Sequence, residues 1–113
     1  MPFIHVRTTK PVEKKTEKEL TARIGNMMPL IGKSEQWLMV GCEEKCHLYF
    51  RGSDEKDLAF VTAAVFGKMV PSQADALTGE ITSAVSELLG IAPDCIYIQY
   101  QEADIWGWNG SNF

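Results

Sequence analysis

The two halves of this chain repeat one pattern. Ile31-Gly32-Lys33-Ser34-Glu35-Gln36-Trp37-Leu38-Met39-Val40 lines up without a gap on Leu89-Gly90-Ile91-Ala92-Pro93-Asp94-Cys95-Ile96-Tyr97-Ile98. Each stretch leaves an amphipathic segment, passes a glycine suited to a left-handed helix cap, crosses a short turn and enters an apolar run. Each half therefore reads as strand, helix, glycine, turn, strand. That is the signature of a duplicated β-α-β unit. Crossovers in such units are right-handed, which puts both helices on the same face of one sheet. The expected fold class is α+β: a four-stranded mixed sheet with two helices on one face, extended by short strands. The chain of 113 residues fits a single domain spanning 1–113.

Taken in order, Phe3 to Thr8 reads as a strand that Lys10-Pro11-Val12 breaks. A helix is predicted from Glu13 to Ile31, with Leu20, Ile24, Met27, Met28 and Ile31 at helical spacing. Pro29 clashes with the carbonyl four residues back, so a kink or an early end is expected. Gln36 to Cys42 is the second predicted strand, and His47 to Phe50 a short third one. Leu58 to Phe66 is the fourth; its nearly continuous apolar run implies burial on both faces. Ser72 with Asp75 forms a capping-box pattern that opens a second helix running to Leu89. Its apolar face is Ala74, Leu77, Ile81, Ala84, Val85 and Leu88. Cys95 to Ile98 is the fifth strand, and the tail from Ile105 to Phe113 is aromatic and glycine-rich. Met27, Met28 and Met39 are expected as core filler. With both helices on one face, apolar residues of the first and fourth strands are left uncovered on the other. A closed oligomer is the expected remedy.

Composition narrows the partners. The apolar fraction of 45% and charged fraction of 23% suit a soluble globular domain. A net charge of −4 argues against nucleic acid, which needs a basic face. No apolar run approaches the roughly 18 residues of a membrane span. His5 and Arg7 interrupt the apolar opening and no basic segment precedes it, so no signal peptide is expected. The predicted location is the cytoplasm, with any secretion proceeding without a leader. Cys42, Cys46 and Cys95 are an odd set without a framework, as in a reducing compartment. Cys42, Cys46 and His47 lack a fourth ligand for zinc other than His5, and are read as thiols flanking the charged turn Glu43-Glu44-Lys45. No metal or cofactor is signalled.

The chemistry begins at Met1-Pro2-Phe3-Ile4. Removal of the initiator methionine leaves Pro2 as a secondary amine at the head of an apolar strand. An α-amino group titrates near 7.7–8.0 when unperturbed, to an approximation. Burial or a neighbouring cation lowers that value by disfavouring the charged form. An amine neutral near pH 7 serves as a general base. Lys33, taken alone, reads as a cation favoured by the C-terminal end of the helix dipole. Tyr97, taken alone, fits a strand residue with its hydroxyl at an edge.

These residues together resemble the macrophage migration inhibitory factor family of the tautomerase superfamily, over essentially the whole chain. The likeness rests on Met1-Pro2-Phe3-Ile4, Gly32-Lys33, Gly52-Ser53, Phe66-Gly67-Lys68, Ile96-Tyr97-Ile98 and Gly107-Trp108-Asn109-Gly110-Ser111-Asn112-Phe113. The resemblance implies a homotrimer whose sheets line a central barrel. It implies cofactor-free keto–enol tautomerisation of phenylpyruvate-like 2-keto acids and dopachrome-type substrates. It assigns Pro2 as the catalytic base, Lys33 to the substrate carboxylate, and Phe66 to ligand contact partly through its backbone. Tyr97 and Gln99 would reach in from a neighbouring subunit. Phe3, Trp106, Trp108 and Phe113 would shape an aromatic pocket. Three departures stand out. Gln99 replaces the family's usual asparagine, Phe66 is bulkier than the common isoleucine, and Leu58-Ala59-Phe60-Val61 occupies the region of the mammalian Cys-x-x-Cys. Two functions follow from the resemblance: a tautomerase, or a cytokine-like ligand of a host receptor in which the site is vestigial.

Overall fold

In a computed structural model, which describes all residues from 1 to 113, the sheet is built outward from strand β1 (Pro2–Thr8). Its side chains alternate: Ile4, Val6 and Thr8 are buried, while Phe3, His5 and Arg7 face the other way. Helix α1 (Lys14–Met27) follows and gives way to a 3-10 turn, Met28–Ile31. The early end expected from Pro29 is met at this switch, because a proline cannot sit in an α-helix interior. Gly32 closes the turn at φ 66°, a left-handed conformation that suits glycine. The chain then returns as β2 (Met39–Glu43), parallel to β1.

The second half repeats this path. Strand β3 (Ala59–Phe66) runs antiparallel to β1, helix α2 (Pro71–Leu89) crosses over, Gly90 caps it at φ 69°, and β4 (Ile96–Ala103) lies parallel to β3. The sheet order is β2-β1-β3-β4. Each half is thus a parallel β-α-β unit, and the two join through the antiparallel β1–β3 pair. Both helices pack on one face, as expected. The core lies between them and the inward residues of the sheet: Ile4, Val6, Val61 and Val65 against Leu20, Ile24, Leu77 and Ile81. Ile4 is fully buried at the centre of that layer. Ile4→Ala should cost about 2–5 kcal/mol, from lost transfer energy and the cavity left behind. Chemical denaturation should show a lower midpoint at unchanged slope. The tail folds into a hairpin of β5 (Gly107–Trp108) and β6 (Ser111–Asn112). Asn109 and Gly110 turn it, at φ 51° and 85°, the positive values that a tight hairpin turn requires.

Several local expectations are corrected. His47–Phe50 forms no strand. Phe50 and Ser53 merely exchange backbone hydrogen bonds of 2.9 and 3.1 Å around Arg51-Gly52, and the segment has no strand to pair with in its own chain. Glu35–Trp37 is a 3-10 turn in which Ser34 Oγ accepts the Gln36 N–H at 3.1 Å, so the second strand starts at Met39. Met39 lies exposed at the sheet edge rather than in the core. Cys95 sits in a 3-10 turn, and the last long strand runs on to Ala103. Ser72 caps nothing: Pro71 takes the first helical turn, and Val70 precedes it without a side-chain cap. β3 is buried on one face only, through Ala59, Val61, Ala63 and Val65. The opposite face of the sheet is mixed rather than apolar. Its central row, His5, Thr62 and Gln99, is polar, and His5 Nε2 lies 3.0 Å from Glu43 Oε1. No helix is long and apolar enough to cross a membrane.

Candidate active site at the chain start

The first residues of β1 meet the last residues of β3. Pro2 is buried opposite Val65, and the Phe66 N–H donates to the Met1 carbonyl at 3.2 Å. The helix-ending turn delivers Lys33 to the same place. Its Nζ donates to the Phe66 carbonyl at 3.3 Å, and it joins no ion pair. The N-terminal amine, carried here by Met1, is lowered from its ordinary value, first by burial and then by the Lys33 ammonium. An amine, an ammonium and the backbone N–H and carbonyl of Phe66 thus converge where β1, β3 and the end of α1 come together.

An aromatic wall leads away from this point. Phe66 lies 5.8 Å from Phe113, Phe113 stacks on Trp108 at 6.3 Å, and Trp108 meets Trp37 edge-on at 5.0 Å. Trp106 supports the wall through its carbonyl, which accepts the Phe113 N–H at 3.0 Å. Phe3 is not part of it. It lies on the open face of the sheet, stacked on His5 at 5.4 Å.

Tyr97 and Gln99 are held elsewhere. Along β3, Pro2 pairs with Val65, whereas Tyr97 pairs with Phe60 and Gln99 with Thr62. Five strand positions separate Tyr97 from the level of Pro2, roughly 16 Å, and three separate Gln99, roughly 10 Å. Tyr97 packs edge-on against Phe50 at 5.3 Å and is 57% exposed. Within one chain the sheet register keeps both residues away from the amine.

The sequence profile of the macrophage migration inhibitory factor family matches residues 1–113. The chain belongs to this family. Its fold is also that of solved family structures. The crystal structure of Leishmania major MIF2 superposes at a TM-score of 0.94 and 29% identity, covering 100% of this chain and 97% of the other. The macrophage migration inhibitory factor homologue from Prochlorococcus marinus gives 0.88 at 26% identity, covering 98% of each. The macrophage migration inhibitory factor from Trichinella spiralis gives 0.83 at 24%, covering 98% and 99%.

In this member of the macrophage migration inhibitory factor family, sequence reasoning missed Trp37. Its apolar neighbours Leu38, Met39 and Val40 made it look like strand, yet the turn at Glu35–Trp37 swings its ring onto Trp108. The signal available was Ser34, a good cap residue just before it. An apolar cleft lined by Leu48, Phe50, Leu58, Phe60 and Tyr97 lies at the other end of the sheet, away from the amine. The three cysteines are free thiols. Burial first, then the carboxylates of Glu17 and Glu44, pushes the Cys42 thiol up, the opposite of an activated thiolate.

Proposed function

We propose that this protein is a cofactor-free keto–enol tautomerase acting on aromatic 2-keto acids, with the amine of Pro2 as its base once Met1 is removed. The observation that carries this reading is the convergence on Phe66: its carbonyl accepts from Lys33, and its N–H reaches the Met1 carbonyl oxygen. That oxygen marks a position for a substrate oxygen. Loss of Met1 frees the Phe66 N–H to donate to a substrate carboxylate, with the Lys33 ammonium as its countercharge. The Pro2 nitrogen then faces the carbon between the carbonyl and the aromatic ring. It takes a proton from that carbon; the C–H pair becomes the new C=C, the C=O pair moves to oxygen, and the Pro2 ammonium gives its proton up as that oxygen gains one, which restores the free base. The wall of Phe66, Phe113, Trp108 and Trp37 receives the ring.

Family members are generally homo-oligomeric. A homotrimer supplies what the register withholds, because a neighbour's Tyr97 and Gln99 can approach the amine from outside the chain. Both face outward, which supports that role.

The test is Lys33→Ala. Losing a charge-assisted hydrogen bond should raise KM for 4-hydroxyphenylpyruvate by about tenfold or more. The base works deprotonated, so kcat/KM rises with pH through the amine pKa. Removing the Lys33 charge relieves the neutral bias on the amine, and the midpoint of that rise should move to higher pH. An unchanged KM and midpoint would remove Lys33 from the site.

A further inference from the structure

We infer that Glu102 is a positioning residue that fastens the 66–69 segment and so fixes the carbonyl on which Lys33 is held. This inference rests on the tautomerase reading of the same site. Glu102 lies at the end of β4, beside Val65 in register and on the helix side of the sheet with Tyr100. Its Oε2 accepts the Met69 N–H at 2.6 Å, and its Oε1 lies 3.7 Å from Lys68 Nζ. One residue further on, the Ala103 carbonyl accepts the Gly67 N–H at 2.9 Å. Gly67, at φ 86°, turns the chain between these two anchors. Phe66 is therefore tied from both sides: Lys33 draws on its carbonyl, and the end of β4 holds Gly67 and Met69 just after it.

Met69 packs on the core and the Val70 carbonyl accepts the Ala74 N–H at 3.0 Å, but no side-chain cap from the helix itself secures this loop where it enters α2. Val70 offers no cap, and Pro71 has no N–H of its own. The Glu102 carboxylate fills that gap, close to the positive end of the helix, where an anion is favoured. A short charge-assisted hydrogen bond is the stronger of its two contacts. The ion pair is long and Lys68 is largely exposed, so it adds little.

The experiment separates the hydrogen bond from the charge and the ligand from the reaction. Two quantities are measured in protein lacking Met1: KM and kcat for 4-hydroxyphenylpyruvate, and the Kd of 3-(4-hydroxyphenyl)propionate, which has no ketone to enolise. Glu102→Ala and Glu102→Asp should each raise KM and Kd about three- to tenfold, since both withdraw the acceptor from Met69. kcat should stay within about twofold, and the pH midpoint should hold, because the base is untouched. Glu102→Gln keeps an acceptor oxygen and should restore both constants, and Lys68→Met should leave them unchanged. Amide exchange at Met69 should quicken in the Ala and Asp variants alone. The Asp variant keeps the charge and polar surface, so it remains informative if the Ala variant folds poorly. Constants unchanged in the Ala and Asp variants, or a Gln variant as impaired as Ala, would overturn the inference. Wild-type protein that binds the propionate but turns nothing over would overturn the tautomerase reading, while the Kd series still tests Glu102. Wild-type protein that does neither overturns both.

Discussion

Protein that keeps Met1 should turn over 4-hydroxyphenylpyruvate at no more than about one hundredth of the rate of protein that has lost it. The reason is covalent. With Met1 in place the Pro2 nitrogen is an amide whose lone pair is delocalised into the carbonyl, and it has no useful basicity. A general base contributes about 10²–10⁴-fold, and that factor is lost at once. The second loss is geometric, since the Met1 carbonyl oxygen occupies the Phe66 N–H at 3.2 Å, the donor that the proposed mechanism assigns to a substrate oxygen. The two forms differ by one residue in mass and can be assayed side by side. The Met-free form should also gain activity as pH rises, through a midpoint lowered from the ordinary value of its amine. Burial and Lys33 lower the Met1 amine here, and the buried Pro2 beside it should feel both in the same direction. Equal rates in the two forms would rule out the Pro2 amine as the base, whatever else the site does.

The parts of the fold that a reader can find in the sequence are those set by neighbours in the chain. Pro29 and Gly32 end the first helix by local sterics, and they present Lys33 at the turn with no help from distant residues. The likeness of the two halves carries the topology, because two right-handed crossovers leave few ways to arrange four strands. The misses share a different cause. His47 to Phe50 has the apolar content of a strand, but a strand exists only where a partner offers its hydrogen bonds. β4 runs five residues beyond Ile98 because Tyr97, Gln99 and Gln101 face outward while Ile96, Ile98 and Tyr100 face the helices. Its polar outward set hid it. The pattern at Ser72 misled because Pro71 takes the first turn and the loop before it is held by Glu102, 33 residues from Met69. The candidate site divides in the same way. Pro2, Lys33 and Phe66 are brought together within one chain. Trp37 joins the aromatic wall only through a turn read as strand, and the register sets Tyr97 and Gln99 apart from the amine.

That separation sets up the second large effect. Chains that retain Met1 and chains carrying Tyr97→Ala should each be nearly inactive alone, yet recover activity when mixed and reassembled. The sheet register puts Tyr97 roughly 16 Å from the level of Pro2 in its own chain. A tyrosine that serves the amine must then come from a neighbour, through a head-to-tail contact of the kind that closes into a ring. In a random equal mixture, a site works when its own chain has a free Pro2 amine and the next chain has Tyr97. Each condition is met half the time, so about a quarter of the wild-type rate should return. The signal rises from near zero, so the effect is easy to read. Reassembled single-variant controls should stay inactive, which separates true sharing from refolding artefacts. No recovery in mixed rings, with sedimentation showing that the rings have formed, would mean that Tyr97 serves its own chain. That result would require β4 to leave its pairing with β3, because no rotamer of Tyr97 spans five strand positions.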